Sequence, residues 1–207
     1  MMKNPLHYQL SEYDCGPTSM LNAISFLFER EDIPPEVLRN IMLYSLDCYS
    51  PEGAPGKHGT SRTAMMFLSH WLDGFGNTGQ LNITSEYLHG QEVEITKNSR
   101  ISEALRQGGA AVVRLFYDVD HYVLLTGLED GAVLMFDPYY QTEAFAADDI
   151  ELIADHPAEY NRRVPLHYLN SKNKELYALG IPENREAVLL FNKDTRLTPE
   201  KTIEYFI

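Results

Sequence analysis

The pattern of the chain changes at Gly108-Gly109, and that change limits the folds open to it. Ahead of the pair, apolar residues recur at helical spacing. Met20, Ala23, Ile24, Leu27 and Phe28 mark a helix over 15–29, and Val37, Ile41 and Leu46 mark a second over 36–46. Ala64, Met65, Leu68, Trp71 and Leu72 mark a third, capped by Thr60 or Ser61, and Ser99 or Ser102 caps a short fourth ending at 107. After the pair, the runs are short and β-prone: 111–117, 121–128, 132–137 and 142–145, then 163–168 and 187–192. Glu129-Asp130-Gly131 signals a hairpin turn. Short strands are expected near 82–84 and 92–95, and Thr198-Pro199-Glu200 opens a last short helix. Helices first and antiparallel strands later predict an α+β fold, with a helical half over about 1–108 and a β-rich half over about 109–207.

A length of 207 residues with no linker fits a single domain, and 44% apolar residues can build its core. A net charge of −13 argues against nucleic acid and anionic membrane surfaces as partners. It reads as a solvated acidic surface, or as a cleft that tolerates basic peptides. No run approaches the roughly 20 apolar residues of a membrane span, and residues 1–9 carry no apolar stretch of signal-peptide length. The expectation is a cytoplasmic protein, in which Cys15 and Cys48 are free thiols. His7, His70, His89, His156 and His167 show no ligand spacing, so neither a metal nor another cofactor is expected.

Cys15 stands where the first helix begins. Asp14, Gly16, Pro17 and Ser19 are start and turn residues, and Pro17 fits a first helical turn. The thiol therefore faces unpaired N–H groups and the positive end of the helix dipole, a setting that favours a reactive thiolate. Taken alone, Cys15 is equally a small buried residue. A base and its orienting partner decide the matter, and the apolar hairpin offers both. His121 opens the run His-Tyr-Val-Leu-Leu-Thr-Gly, and Asp137 closes Ala-Val-Leu-Met-Phe-Asp. Imidazole titrates near neutrality and a carboxylate fixes its tautomer, so the three residues supply nucleophile, base and orienter.

Register tests the pairing. A regular two-residue Asp130-Gly131 turn pairs Glu129 with Ala132 and points His121 and Asp137 to opposite faces. A three-residue connection with Gly131 as a bulge pairs Leu128 with Ala132 instead. Asp137 then lies opposite Val123, diagonal to His121 and roughly 7–8 Å away between backbones. A three-residue or bulged connection is therefore predicted. Gln9, six residues ahead of Cys15, is the candidate side-chain donor to an oxyanion, beside the Cys15 N–H.

These residues carry a resemblance. Gln-x5-Cys-Gly-Pro-Thr-Ser-Met-Leu-Asn-Ala, then His-Tyr-Val-Leu-Leu-Thr-Gly, then a strand ending Asp-Pro, resembles the bacteriocin-processing cysteine peptidases that cleave double-glycine leaders, and their stand-alone relatives. The likeness covers roughly residues 7–140. It implies a papain-like fold, with Cys15 as nucleophile, His121 as base, Asp137 as orienter and Gln9 in the oxyanion hole. The best-known members are N-terminal domains of ABC exporters, whereas no membrane segment follows here. The loop 48–59 and some 65 residues after Asp137 exceed the family core. The implied reaction is cleavage of a peptide or amide bond through an acyl-enzyme. Acyl or peptidyl transfer by the same triad, a non-catalytic peptide-binding module and a redox-sensing thiol remain as alternatives. Asp118-Val119-Asp120 reads as a solvated loop rather than a cation site. Residues 57–60 read as plain loop or a lid near the cleft, and Tyr139-Tyr140 as a groove wall or packing residues.

Overall fold

The computed structural model describes residues 3–198. Its helices are α1 (Cys15–Leu27), α2 (Pro35–Ser45), α3 (Arg62–Gly76), α4 (Arg100–Arg106) and α5 (Leu166–Leu169). Its strands are β1 (Ile83–His89), β2 (Ala110–Tyr117), β3 (Val119–Glu129), β4 (Ala132–Phe136), β5 (Glu151–Leu152), β6 (Arg162–Pro165) and β7 (Glu186–Asn192). The class is α+β. Seven strands form one sheet in the order β1-β7-β2-β3-β4-β6-β5, with every pairing antiparallel. β1 comes from the helical half and pairs with β7, so the sheet joins both halves of the chain.

Period-two alternation gives the sheet two apolar faces. Val112, Leu124, Phe136 and Val188 pack against Met20 and Ile24 of α1, Ile41 of α2 and Leu68 of α3. Val113, Val123, Leu125 and Met135 pack on the other side with Ile101 and Leu105 of α4 and Leu169 of α5. Helix α1 is the most deeply set: ten of its thirteen residues are buried, against three of eleven in α2. Each large aliphatic side chain so enclosed contributes roughly 1.5–3 kcal/mol. Ser61 caps α3 by accepting from the Ala64 N–H, and Ser99 caps α4 by accepting from the Ser102 N–H.

Several expected elements differ. The strand near 82–84 runs on to His89, because β7 pairs with it along its length. Residues 92–95 form no strand. A 3₁₀ turn covers Gly90–Glu92, and the Asn170 amide occupies both backbone groups of Ile95, accepting from its N–H at 3.0 Å and donating to its carbonyl at 2.8 Å. Residues 142–145 are irregular, and the Phe145 ring packs on Tyr177 at 5.8 Å. The strand over 163–168 stops at Pro165 and turns into α5. The helix expected from Thr198 falls on residues 199 onward, outside the described residues. No helix among the described residues is long and apolar enough to cross a membrane.

Candidate active site

The helix start is built by the loop ahead of it. The Asp14 carboxylate does not cap α1; it accepts from the Leu10 N–H at 3.0 Å and the Ser11 N–H at 2.8 Å, closing the turn that leads from Gln9 to Cys15. The first helical bond runs from the Thr18 N–H to the Asp14 carbonyl, so the N–H groups of Cys15 and Gly16 lie ahead of the ladder. Gly16 is required by close approach. A Cβ there would stand 2.4 Å from the Thr60 hydroxyl oxygen, which places the end of the 48–60 loop against the helix start. Asn22, fully buried in α1, accepts from the His7 N–H and donates to the His7 carbonyl, both at 2.8 Å. That clasp holds the segment carrying Gln9 alongside the helix.

The hairpin settles its register differently from expectation. Asp130 (φ 42°) and Gly131 (φ 80°) make a two-residue turn that pairs Glu129 with Ala132, not Leu128 with Ala132. Positive φ at both positions is the twist that tight hairpins favour. The compensating bulge lies inside β3, at Thr126, where the pairing slips between Leu125 and Gly127. From there Leu125 faces Met135 and Leu124 faces Phe136. Asp137, the next residue, comes level with Val123 and diagonal to His121. The expected juxtaposition is present, by a bulge four residues before the turn.

His121 Nε2 and Asp137 Oδ1 lie 2.8 Å apart. β4 flanks β3 only as far as Leu124, so His121 sits on a stretch that β4 does not cover. There the Cys15 side chain is near enough to raise the ring's pKa. All three residues are buried, Asp137 completely. Burial disfavours the imidazolium, but the hydrogen bond it donates to Asp137, together with the influence of Asp137 and Cys15 as neighbouring anionic groups, outweighs it and pushes His121 up to about 10. Burial likewise disfavours the Asp137 carboxylate; the bond and charge of His121, the Tyr139 N–H and the Tyr177 hydroxyl overcome it and hold the carboxyl below its ordinary value. Asn161 fixes the backbone of Asp137 as Asn22 fixes that of His7: it accepts from the N–H and donates to the carbonyl, both at 2.8 Å.

Gln9 lies beside this group, but its amide is engaged. Nε2 donates to the Ser11 carbonyl at 2.8 Å, and Oε1 is buried without a partner. One of the two Nε2 hydrogens stays uncommitted. The Gln9 N–H donates to the Pro138 carbonyl at 2.8 Å, tying the nucleophile segment to the chain just past Asp137. Tyr139 and Tyr140 are exposed; Tyr139 packs at a tilt on Tyr117, whose ring lies 5.7 Å from His121, and Tyr140 meets Tyr8 edge-on. Cys48 lies on the 48–60 loop, its thiol pushed up by partial burial and by neighbouring Asp47.

Of the supporting residues, Asn161 and Tyr177 do not figure among the sequence motifs, and Asn22 stands in the Met-Leu-Asn-Ala motif with no role assigned to it. Asn22 carried a signal, a polar residue with poor helix propensity inside an apolar helical series. Asn161 and Tyr177 sit in irregular segments whose partners lie 24 and 40 residues away. Among the described residues, no group of three or more His, Cys, Asp and Glu side chains is placed to hold a metal ion. The arrangement is a thiol beside an imidazole whose other nitrogen rests on a buried carboxylate, a grouping that can move a proton between sulfur and ring. No protein-family model matches the chain, and no curated protein sequence matches it.

Proposed function

We propose that the chain is a papain-like cysteine peptidase or a closely related amide-bond acyl transferase. The observation that carries this reading is the 2.8 Å contact between His121 Nε2 and Asp137 Oδ1, with the Cys15 thiol acting on the same ring. Asp137 occupies Nε2, so Nδ1 is left to serve the sulfur. Cys15 attacks a carbonyl carbon, and its proton resides on His121. The Cys15 N–H and the free hydrogen of Gln9 Nε2 are the donors for the oxyanion. Collapse of the tetrahedral intermediate expels the amine, which takes its proton from His121. Water then hydrolyses the acyl-enzyme, or a second amine accepts the acyl group. The sequence likeness to the bacteriocin-processing peptidases supports the same roles for the same four residues.

Thiol alkylation near pH 6 tests the reading. Cys15 is expected to react much faster than Cys48, and His121→Ala is expected to abolish the difference. A Cys15 that reacts no faster than the thiols of the unfolded chain leaves a non-catalytic peptide-binding module instead. An oxidised Cys15 whose chemistry ignores Asp137 points to a redox-sensing thiol.

A further inference from the structure

The carboxylate of Asp137 has a second oxygen, and what holds it extends the site. Oδ2 accepts from the Tyr177 hydroxyl at 2.8 Å. Tyr177 is fully buried, and its backbone is left-handed (φ 59°), a conformation that bulky residues seldom adopt and that tends to mark functional sites. Strand β2 holds it there: its N–H donates to the Phe116 carbonyl, and the Phe116 N–H donates to the Ala178 carbonyl, both at 2.8 Å. Burial and the charge of Asp137 push the phenol well above its ordinary value, so it stays a donor.

Behind the phenol lies Arg162, 2% exposed. Its Nη1 and Nη2 donate to the carbonyls of Asn161 and Tyr139, its guanidinium stands over the Phe145 ring, and its Nε has no partner. It makes no ion pair among the described residues. Its positive charge lies close enough to the Tyr177 hydroxyl to oppose the rise of the phenol. A cation buried this deeply is costly unless an anion compensates it. The charged and titratable groups around Asp137 are His121 on β3, Tyr117 on β2, Tyr139, Tyr177, Arg162 on β6 and, across the imidazole, Cys15 on α1. Cys15 and His121 share one proton in the proposed mechanism and carry no net charge between them wherever it rests, which leaves the charge of Asp137 over. Arg162 is the only other cation in the group, and arginine keeps its charge at every working pH.

We propose that Arg162 and Tyr177 are positioning residues for the Cys15–His121–Asp137 set: Arg162 supplies the standing counter-charge of Asp137, and Tyr177 fixes its Oδ2. They act through Asp137 and touch no reacting atom. The inference rests on the cysteine-peptidase reading and deepens it. Holding Asp137 ionised and oriented keeps Nε2 protonated, and so keeps Nδ1 turned to the sulfur while the proton shuttles.

The test follows alkylation of Cys15 by iodoacetamide from about pH 4 to 9, on the full chain in a Cys48→Ser background, with thermal unfolding recorded for each protein. Tyr177→Phe removes one oxygen and keeps the ring. Its acid limb is expected to move up by about half a pH unit or more, because a carboxylate that loses a donor protonates earlier. Arg162→Met is expected to move the limb further, and Arg162→Lys, which keeps the charge, less than Arg162→Met. An unmoved limb in Tyr177→Phe overturns the proposal. So does an Arg162→Lys shift as large as that of Arg162→Met, since charge is then not what Arg162 supplies. If Arg162→Met does not fold, Tyr177→Phe decides alone. Alkylation that His121→Ala leaves unchanged defeats the cysteine-peptidase reading, and the proposal with it; that failure is read from a different variant.

Discussion

The two halves of the site are held by different forces. The thiol half depends on shape. Helix α1 is buried on most of its circumference, Gly16 admits Thr60 at a distance no side chain permits, and the Asp14 turn brings Gln9 round to the helix start. The imidazole half depends on polar bonds. Asp137 takes bonds at both carboxylate oxygens and at both backbone groups, all at 2.8 Å. Shape positions a nucleophile without fixing its charge. A buried carboxylate, in contrast, needs every bond to remain charged. The nucleophile side should therefore answer to changes in volume, and the base side to changes in charge and pH.

Asp137→Asn is the sharpest way to break that contrast, because it keeps the size and removes the charge. An unassisted thiol, with an ordinary pKa of about 8.5, is thiolate to less than one part in a hundred near pH 6. Alkylation of Cys15 at that pH is expected to fall by about a hundredfold, with the fold retained. An unchanged rate would place thiol activation in the helix start alone.

The pH dependence of stability comes next. His121 is raised from its ordinary value of 6.5 to about 10 in the folded chain. The stabilisation from its protonated form is fully present below about pH 6.5 and is lost as pH rises toward about 10. Asp137 runs the other way: its contribution is present above the ordinary carboxyl range and is lost as pH falls through its lowered folded value. Urea unfolding of wild type and His121→Gln checks the upper window. The wild-type advantage, on the order of a few kcal/mol near pH 6, should shrink by pH 10. An advantage constant across that window would mean that the ring titrates as it does in the unfolded chain.

Gly16→Ala probes the other half. The added methyl meets the Thr60 side chain at 2.4–3.3 Å, so the loop must move. The expected cost is about 1–3 kcal/mol of overpacking. Combining it with Thr60→Gly should return most of that loss, measured as a coupling in a double-mutant cycle. Without coupling, the 48–60 loop does not press on the helix start.

What was legible in the sequence follows the same division. The helix start at Cys15, the strand that opens near His121 and the strand that closes before Asp137 are local patterns, and they appear where periodicity places them. The bulge was required by parity, yet its place at Thr126 was not readable, because Asp130-Gly131 is itself a favourable two-residue turn. The Asn161 clasp and the Tyr177 hydroxyl depend on partners far along the chain, and their own neighbourhoods read as loop; Arg162 borders the expected strand at 163–168, where its burial carried no local signal. The same holds for Asn170, which turned an expected strand at 92–95 into a clasped bend. Local propensity reports an element; it does not report a polar side chain that substitutes for a neighbouring strand.

The smallest effect concerns the seam between the halves. Ser19, one turn after Cys15, donates from a buried hydroxyl to the Tyr122 carbonyl at 3.0 Å, and Tyr122 follows His121. Ser19→Ala loses about 1 kcal/mol of hydrogen bonding, part of which the better helix propensity of alanine offsets by a few tenths of a kcal/mol. Stability should hardly change. The alkylation rate of Cys15 should fall severalfold, because the bond is the short route by which β3 sets the distance between helix start and imidazole. If stability drops while the rate holds, packing of α1 on the sheet is enough to set that distance. Shape would then govern the seam as it governs the packing of α1.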